Sequence, residues 1–561
     1  MTDEILAISL ATEPVVGSNL RGSVSGAGWL YALPRLDAER IVCLGLPPVP
    51  TLAALARIGR VTVSVEDHDA QRAGALVAHH AWTGVVVTTM GDGIPEGPVD
   101  LIVVAAVPRD PSVVPALLAR LAPDGMAIAL SGGLEGSPGS DEDGRSRLDL
   151  QRWPTRGEVR AMAPAGALAD RDALRRLGMI TVTETALTRG QLARVERWIR
   201  RRLPRSRRWG RAVVLGPDPA APTSPPHYIR ELAATAGRDL TGWGWAVANR
   251  GDYDSQKVLV LLREPGATEP SGVVKITRSS THAARLRNEE AALSAVGALP
   301  IAAGRVPQTW FAGTHAGRAI VGESLLPGAP FMRRATYEAD DPLLADSLGW
   351  LTDLAAATAR PVPAADVAAS LTCLLERYER VYEPAADERA TLRGQLERLA
   401  AVRDPIPLVR QHGDPGIWNL LAGPDGRTVF LDWEASEANG LPLWDSLYLF
   451  RSYAVAAGRR RGTRDWVDAA RRHLLAASPL ADRFVESVDA YCERIGVPRD
   501  AIEALTYGCW IHRSLKEANR LPQERLAKGQ LVRLIRAMLA EPDAPTLARL
   551  FGRSTTRTVG P

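Results

Sequence analysis

The sequence predicts an α/β doubly wound parallel sheet followed by an α+β domain with a strand-rich part and a larger helical part, and three observations carry that expectation. Before residue 216, short apolar strands alternate with helical segments. From Gly216 to Pro226 the chain reads GPDPAAPTSPP, which suits neither a helix nor a central strand. Beyond it, a hairpin pattern gives way to helical periodicity. The expected divisions are residues 1–218, a linker at 219–227, a strand-rich part at 228–325 and a helical part at 326–561. A chain of 561 residues exceeds what one core normally organises.

In the first half, Arg40–Gly45 reads as a strand, Thr51–Ile58 as a helix, and Arg60–Val65 and Gly84–Thr88 as strands. Val99–Val107 follows as a strand, Val113–Leu121 as a helix and Met126–Leu130 as a strand. Met179–Thr185 and Arg211–Leu215 would complete the sheet, with an amphipathic helix at Leu192–Leu203. After the linker, Lys257–Leu262 and Gly272–Thr277 form an expected hairpin with Trp243–Ala248 as neighbour. Thr281–Val296 is helical, and Leu286, Glu289, Glu290 and Leu293 share one face. A carboxylate therefore turns inward with the apolar stripe.

Only four of the 68 basic residues are lysines (Lys257, Lys275, Lys516 and Lys528), so each lysine invites a reason. Lys275 on its strand, with Glu289 as expected partner, suits a compact ammonium that touches triphosphate, the strand-lysine and helix-glutamate arrangement of the kinase fold. Farther on, QHGDPGIWNLLAGPDGRTVFLDWE (411–434) places Asp414, Asn419 and Asp432 around one loop and one strand. Phosphoryl transfer to a hydroxyl needs a carboxylate to orient the nucleophile and take its proton, which suits Asp414. It also needs hard oxygen ligands for magnesium, which suits Asn419 and Asp432.

The motifs His412-Gly413-Asp414, Asn419 and Leu431-Asp432-Trp433-Glu434, with Val306-Pro307-Gln308, Glu323–Gly328 and Pro442-Leu443-Trp444-Asp445, resemble the aminoglycoside phosphotransferase and choline kinase-like family over about residues 228–540. The resemblance implies a bilobal protein-kinase-like fold, ATP and Mg2+ as cofactors, and a small hydroxylated acceptor. It also implies that Glu323 and nearby backbone face adenine and that His412 braces the catalytic loop. The phosphate-covering loop falls at Asn249–Gln256, with a single glycine and Ser255 as candidate donor. Pro-Gly-Ile-Trp replaces the usual histidine-containing spacer after Asp414, and Trp418 is expected to pack the loop rather than touch substrate.

The first half, over roughly residues 25–216, resembles in layout the class I S-adenosylmethionine-dependent methyltransferases, a Rossmann-type fold. Glu66-Asp67 ends the second strand, Asp92 follows the third and Asp100 opens the fourth. That family's first turn has an acid and several glycines, so that backbone can approach the cofactor. Here Cys43–Pro48 has one glycine, two prolines and no acid, which reads as a degenerate version. Glu66 is the residue left to hold a ribose, and S-adenosylmethionine stays an open cofactor.

A net charge of +4 argues against a dedicated nucleic-acid binder, which would need concentrated basic surface. No apolar run approaches a membrane span, and four separated cysteines fit a reducing cytoplasm. The basic run Arg200–Arg211 is read as a solvated helix end or as a peripheral contact with an anionic surface. Residues 501–561 carry ten Lys/Arg against five Asp/Glu, which disfavours a polycationic acceptor and leaves a sugar, a saccharide or a biosynthetic intermediate. Two alternatives stay open: a bifunctional methyltransferase and kinase, and a non-catalytic regulatory or assembly module.

Overall fold

Runs of β-branched residues build the first sheet. In the computed structural model, the described residues are 30–31, 36–47, 49–92, 96–105, 110, 113–129, 161–162, 224–249, 257–267, 269–519 and 521–553. They fall into two compact units. Of the described residues, one unit holds those within 19–287 and 309–325, and the other holds those within 288–308 and 326–553.

In the first unit β1 (Arg40–Leu44), β2 (Arg60–Val65), β3 (Val85–Thr89), β4 (Val99–Val104), β5 (Leu121–Ala129) and β6 (Ala161–Met162) form one sheet. Its order is β3-β2-β1-β4-β5-β6. All of its pairings are parallel. This is doubly wound order, in which strand succession reverses between β1 and β4. The connecting helices are α1 (Val49–Leu55), α2 (Asp67–His79) and α3 (Val113–Leu118). Strands β1 to β4 agree with the expected ones within a few residues, β5 begins five residues earlier than expected with a shift in register between Val99 and Leu101, and β6 was not expected.

After α4 (His227–Thr235) come β7 (Gly244–Asn249), β8 (Val258–Arg263) and β9 (Gly272–Ile276). Helix α5 (Ala283–Gly297) then precedes β10 (Thr309–His315) and β11 (Arg318–Ser324). These five strands make an antiparallel sheet of order β10-β11-β9-β8-β7. The parallel and antiparallel sheets belong to one compact unit and share a core. Ile41, Val63 and Leu101 from one sheet and Val260, Val274 and Ile320 from the other are buried in a single apolar cluster. Polar anchors cross it as well: the Tyr228 hydroxyl donates to the Tyr31 carbonyl at 2.7 Å, and the Leu36 amide donates to His315 Nε2 at 3.2 Å.

In the second unit α6 (Pro342–Thr358), α7 (Ala364–Tyr382) and α8 (Ala386–Ala400) precede the loop at residues 412–419. Six helices follow it: α9 (Trp444–Arg460), α10 (Trp466–Leu474), α11 (Pro479–Ile495), α12 (Ile502–Ala518), α13 (Gln530–Ala540) and α14 (Pro545–Leu550). Two small sheets lie among them. One joins β12 (Ala329–Pro330), β15 (Leu420–Ala422) and β16 (Thr428–Phe430), and the other joins β13 (Arg360–Val362), β14 (Ile406–Gln411) and β17 (Glu437–Gly440). Among the described residues no helix is long and apolar enough to cross a membrane. The predicted segments Met179–Thr185, Leu192–Leu203 and Arg211–Leu215, and the basic run Arg200–Arg211, lie outside the described residues.

Candidate active site

The loop that carries Asp414 begins where β14 ends. His412 is fully buried, and its ring bonds on both sides: Nε2 lies 2.9 Å from the Leu431 carbonyl, and Nδ1 accepts from the Asp414 amide at 3.2 Å. A carbonyl only accepts, so Nε2 carries the proton and the ring is the neutral tautomer. Burial holds its pKa below the ordinary value against the opposing pull of Asp445, Asp414 and Asp432. Asp445, at the start of α9, accepts from the amides of His412 at 2.6 Å and Gly413 at 3.1 Å. Burial pushes the Asp445 carboxyl up, and those two bonds and the nearby cations oppose it. Gly413 has φ of 79°, and a Cβ there would stand 1.8 Å from the Ala435 carbonyl oxygen, so only glycine fits.

Asp414 follows with its side chain 34% exposed. The Asn419 Nδ2 donates to the Asp414 carbonyl at 2.9 Å and to its Oδ2 at 3.2 Å. Asn419 closes a short 3-10 turn, and its carbonyl accepts from the Leu431 amide at 2.9 Å. Because β15 pairs with β16 from Leu420↔Phe430 onward, Asn419 and Asp432 emerge at the same end of one hairpin. Asp432 takes left-handed backbone, φ 66° and ψ 67°, a strained conformation for a non-glycine residue and one found preferentially at functional positions. Behind it, Arg305 and Asp346 brace β16. The Thr428 amide donates to Asp346 at 2.7 Å, and the Phe430 amide donates to the Arg305 carbonyl at 2.7 Å.

Both Asn419 Nδ2 hydrogens point to Asp414, which leaves Oδ1 without a hydrogen bond among the described residues. An amide oxygen and a carboxylate, Asp432, are the hard donors that Mg2+ takes beside phosphate oxygens, so this donor set fits the ion.

The remaining expected site residues distribute as follows. On β9, Lys275 lies opposite Val321 of β11, and its Nζ is 2.8 Å from Glu323 Oε2. The Lys275 side chain is 11% exposed and that of Glu323 fully buried, so the Glu323 carboxylate is engaged by an ammonium. The face expected to meet adenine is then backbone near Glu323. Glu289, fully buried on α5, accepts from the Trp433 amide at 3.2 Å, and Asn288 donates to the carbonyls of Glu434 and Ser436. Glu66 stands at the N-cap of α2 and makes no side-chain capping bond to that helix. Ser255 lies outside the described residues. Trp418 does pack its loop, since a Cβ on Gly416 would meet the indole at 2.3 Å, yet it stays 47% exposed.

Three residues escaped the sequence reading. Arg513 on α12 donates to the Gly413 carbonyl at 2.7 Å, lies 3.5 Å from Asp414 Oδ1 and stacks 3.6 Å above the Tyr448 ring. Lys516 sits one turn later. Glu437 faces Gln411 across the β14–β17 pairing. The rarity of lysine flagged Lys516, but nothing tied it to a loop a hundred residues away.

Residues 245–485 match the model of the phosphotransferase enzyme family, APH. No curated protein matches. Among solved structures, a glucosamine kinase is 19% identical with a TM-score of 0.34, the alignment covering 55% of this chain and 80% of that one. Choline kinase LicA from Streptococcus pneumoniae is 14% identical with a TM-score of 0.33, covering 52% and 92%. An aminoglycoside phosphotransferase from Streptomyces rimosus is 17% identical with a TM-score of 0.29, covering 48% and 92%.

Proposed function

We propose that the protein transfers the terminal phosphoryl group of ATP, with Mg2+, to a hydroxyl of a small molecule. The observation that carries this reading is the loop at 412–419. Its carboxylate is locked by Asn419, its backbone by Asp445 and Arg513, and it lies within the stretch that matches the phosphotransferase family. In the reaction the acceptor oxygen forms a bond to phosphorus, its proton passes to Asp414, and the bond to the departing ADP oxygen breaks. Asn419 and Asp432 would hold the magnesium ion that neutralises the phosphates. Lys275, steadied by Glu323, would meet the α- and β-phosphates. The setting is the cytoplasm, consistent with four free cysteines.

The test separates base from ligand. Asp414→Asn should lower kcat by about 10²–10⁴ and leave Mg-ATP binding intact by calorimetry. Asp432→Ala should remove magnesium-dependent nucleotide binding. Turnover that survives both changes would refute the assignment.

A second reading adds methyl transfer in the parallel sheet, with Glu66 on the ribose. The strand-order reversal between β1 and β4 favours it, because ligands of open α/β sheets settle at such points. Saturable S-adenosylmethionine binding in calorimetry would support it. Without that binding, we assign the sheet to acceptor or partner binding.

A further inference from the structure

Among the described residues only five large apolar side chains are exposed, and two of them, Met332 at 48% and Trp466 at 39%, stand beside the arginine-rich end of α9. Met332 belongs to the short helical turn Phe331–Arg334, and the Tyr337 hydroxyl donates to its carbonyl at 3.2 Å. The Tyr337 ring in turn lies 5.4 Å from the Arg460 guanidinium, and Arg461 reaches Glu338 at 2.6 Å. Arg459 completes the group, its guanidinium 4.6 Å above the Trp466 ring. Two segments far apart in sequence thus form one surface.

Its charge is one-sided. Arg333, Arg334, Arg459, Arg460 and Arg464 are exposed and make no ion pair among the described residues. The nearby acids are mostly engaged: Glu338 with Arg461, Asp341 with the Tyr453 hydroxyl at 2.7 Å, and Asp465 with Arg533 at 2.9 Å. Asp340 and Asp468 are left against five open cations. Guanidinium groups take phosphodiester oxygens in pairs. Tryptophan and methionine flanks favour the layer between head groups and acyl chains. A nucleic acid offers the phosphates but no acyl layer for Met332, whereas an anionic leaflet offers both.

The same helix carries this surface toward Asp414. Ser452, two turns before Arg459 on the same helix face and so about 11 Å from it, accepts from the Ile417 amide at 3.1 Å. We infer that this face docks the protein on an anionic lipid surface, with the arginines on lipid phosphates, Met332 and Trp466 in the head-group layer, and the loop at 412–419 along its edge.

The experiment floats the full chain with vesicles of phosphatidylglycerol and phosphatidylcholine, and with vesicles of phosphatidylcholine alone. Binding to the first only, weakening as salt rises, is the expected result. The double variant Arg459→Gln/Arg460→Gln should lower that partitioning about 10- to 30-fold. Met332→Ser with Trp466→Ser should lower it several-fold and leave it salt-dependent. Arg398→Gln/Arg403→Gln, which removes two exposed arginines at and beyond the end of α8, should leave it as in the parent. Because every altered side chain is exposed, thermal melts of all variants should match the parent's. No binding, equal binding to both vesicles, or anionic binding that Arg459→Gln/Arg460→Gln leaves unmoved would overturn the docking surface. Arginine-dependent capture of a fluorescent RNA, or arginine-dependent self-association in sedimentation, without vesicle binding would overturn it too. None of these readings uses turnover, so they stand or fall apart from the phosphotransfer assignment.

Discussion

The turn after β1 and the loop after β14 both leave the end of a buried strand, yet they are furnished in opposite ways. The first, Gly45 to Pro47, has one left-handed glycine at φ 79° and no ionisable side chain. The second holds His412 by Leu431 and Asp414, Asp414 by Asn419 and Arg513, and is tied through two of its amides to Asp445. A strand-order reversal provides a place for a ligand, but chemistry needs groups whose positions are over-determined.

The most damaging way to break this contrast is Gly413→Ala. Left-handed strain plus a carbonyl oxygen inside the new methyl should cost about 2–5 kcal/mol and at least 10²-fold in turnover, read by thermal melts and ADP release. Asp445→Asn comes next, because one amide oxygen replaces a charged acceptor of two N–H groups. A loss of about 2–3 kcal/mol in denaturant titrations, with a lower kcat, is expected.

A third test uses acid. His512, buried against Trp444, is held well below its ordinary pKa of 6.5 by burial and then by Lys516, Arg513 and Arg377. A depressed folded pKa means that its contribution is complete above pH 6.5 and fades as pH falls, since the unfolded chain takes up the proton first. His412 and His473 act in the same sense, and Asp445 and Glu437 in the opposite one. His512→Gln should therefore flatten the decline of stability between pH 6.5 and 5 by up to about 1.4 kcal/mol per pH unit. An unchanged slope in denaturant melts would place that proton elsewhere. The smallest effect belongs to the bare turn: Gly45→Ala should cost about 1–2 kcal/mol through its backbone and leave phosphotransfer kinetics as they were. A changed acceptor KM would show that this turn takes part after all.

Much of this molecule was legible because its signals are local. Apolar runs such as Arg60–Val65 became strands at the expected bounds, and the Asp414, Asn419 and Asp432 spacing reflects one hairpin that brings the latter two to a common end. What escaped depends on distant partners. Glu323 meets Lys275 only because β11 lies beside β9, and Arg513 reaches the loop after β14 only through the packing of α12. The proline stretch speaks to something else: prolines mark where regular structure stops, and they do not say whether the flanking sheets will share an interior.

That shared interior has a consequence for how such a protein could be shortened or recombined. Tyr228, Ile229, Val260 and Ile320 pack in the same apolar mass as Ile41, Val63 and Leu101. A fragment cut at the proline stretch would carry a freshly bared greasy flank into water, so a gene encoding only the part after that stretch should yield inclusion bodies where the intact reading frame yields soluble product.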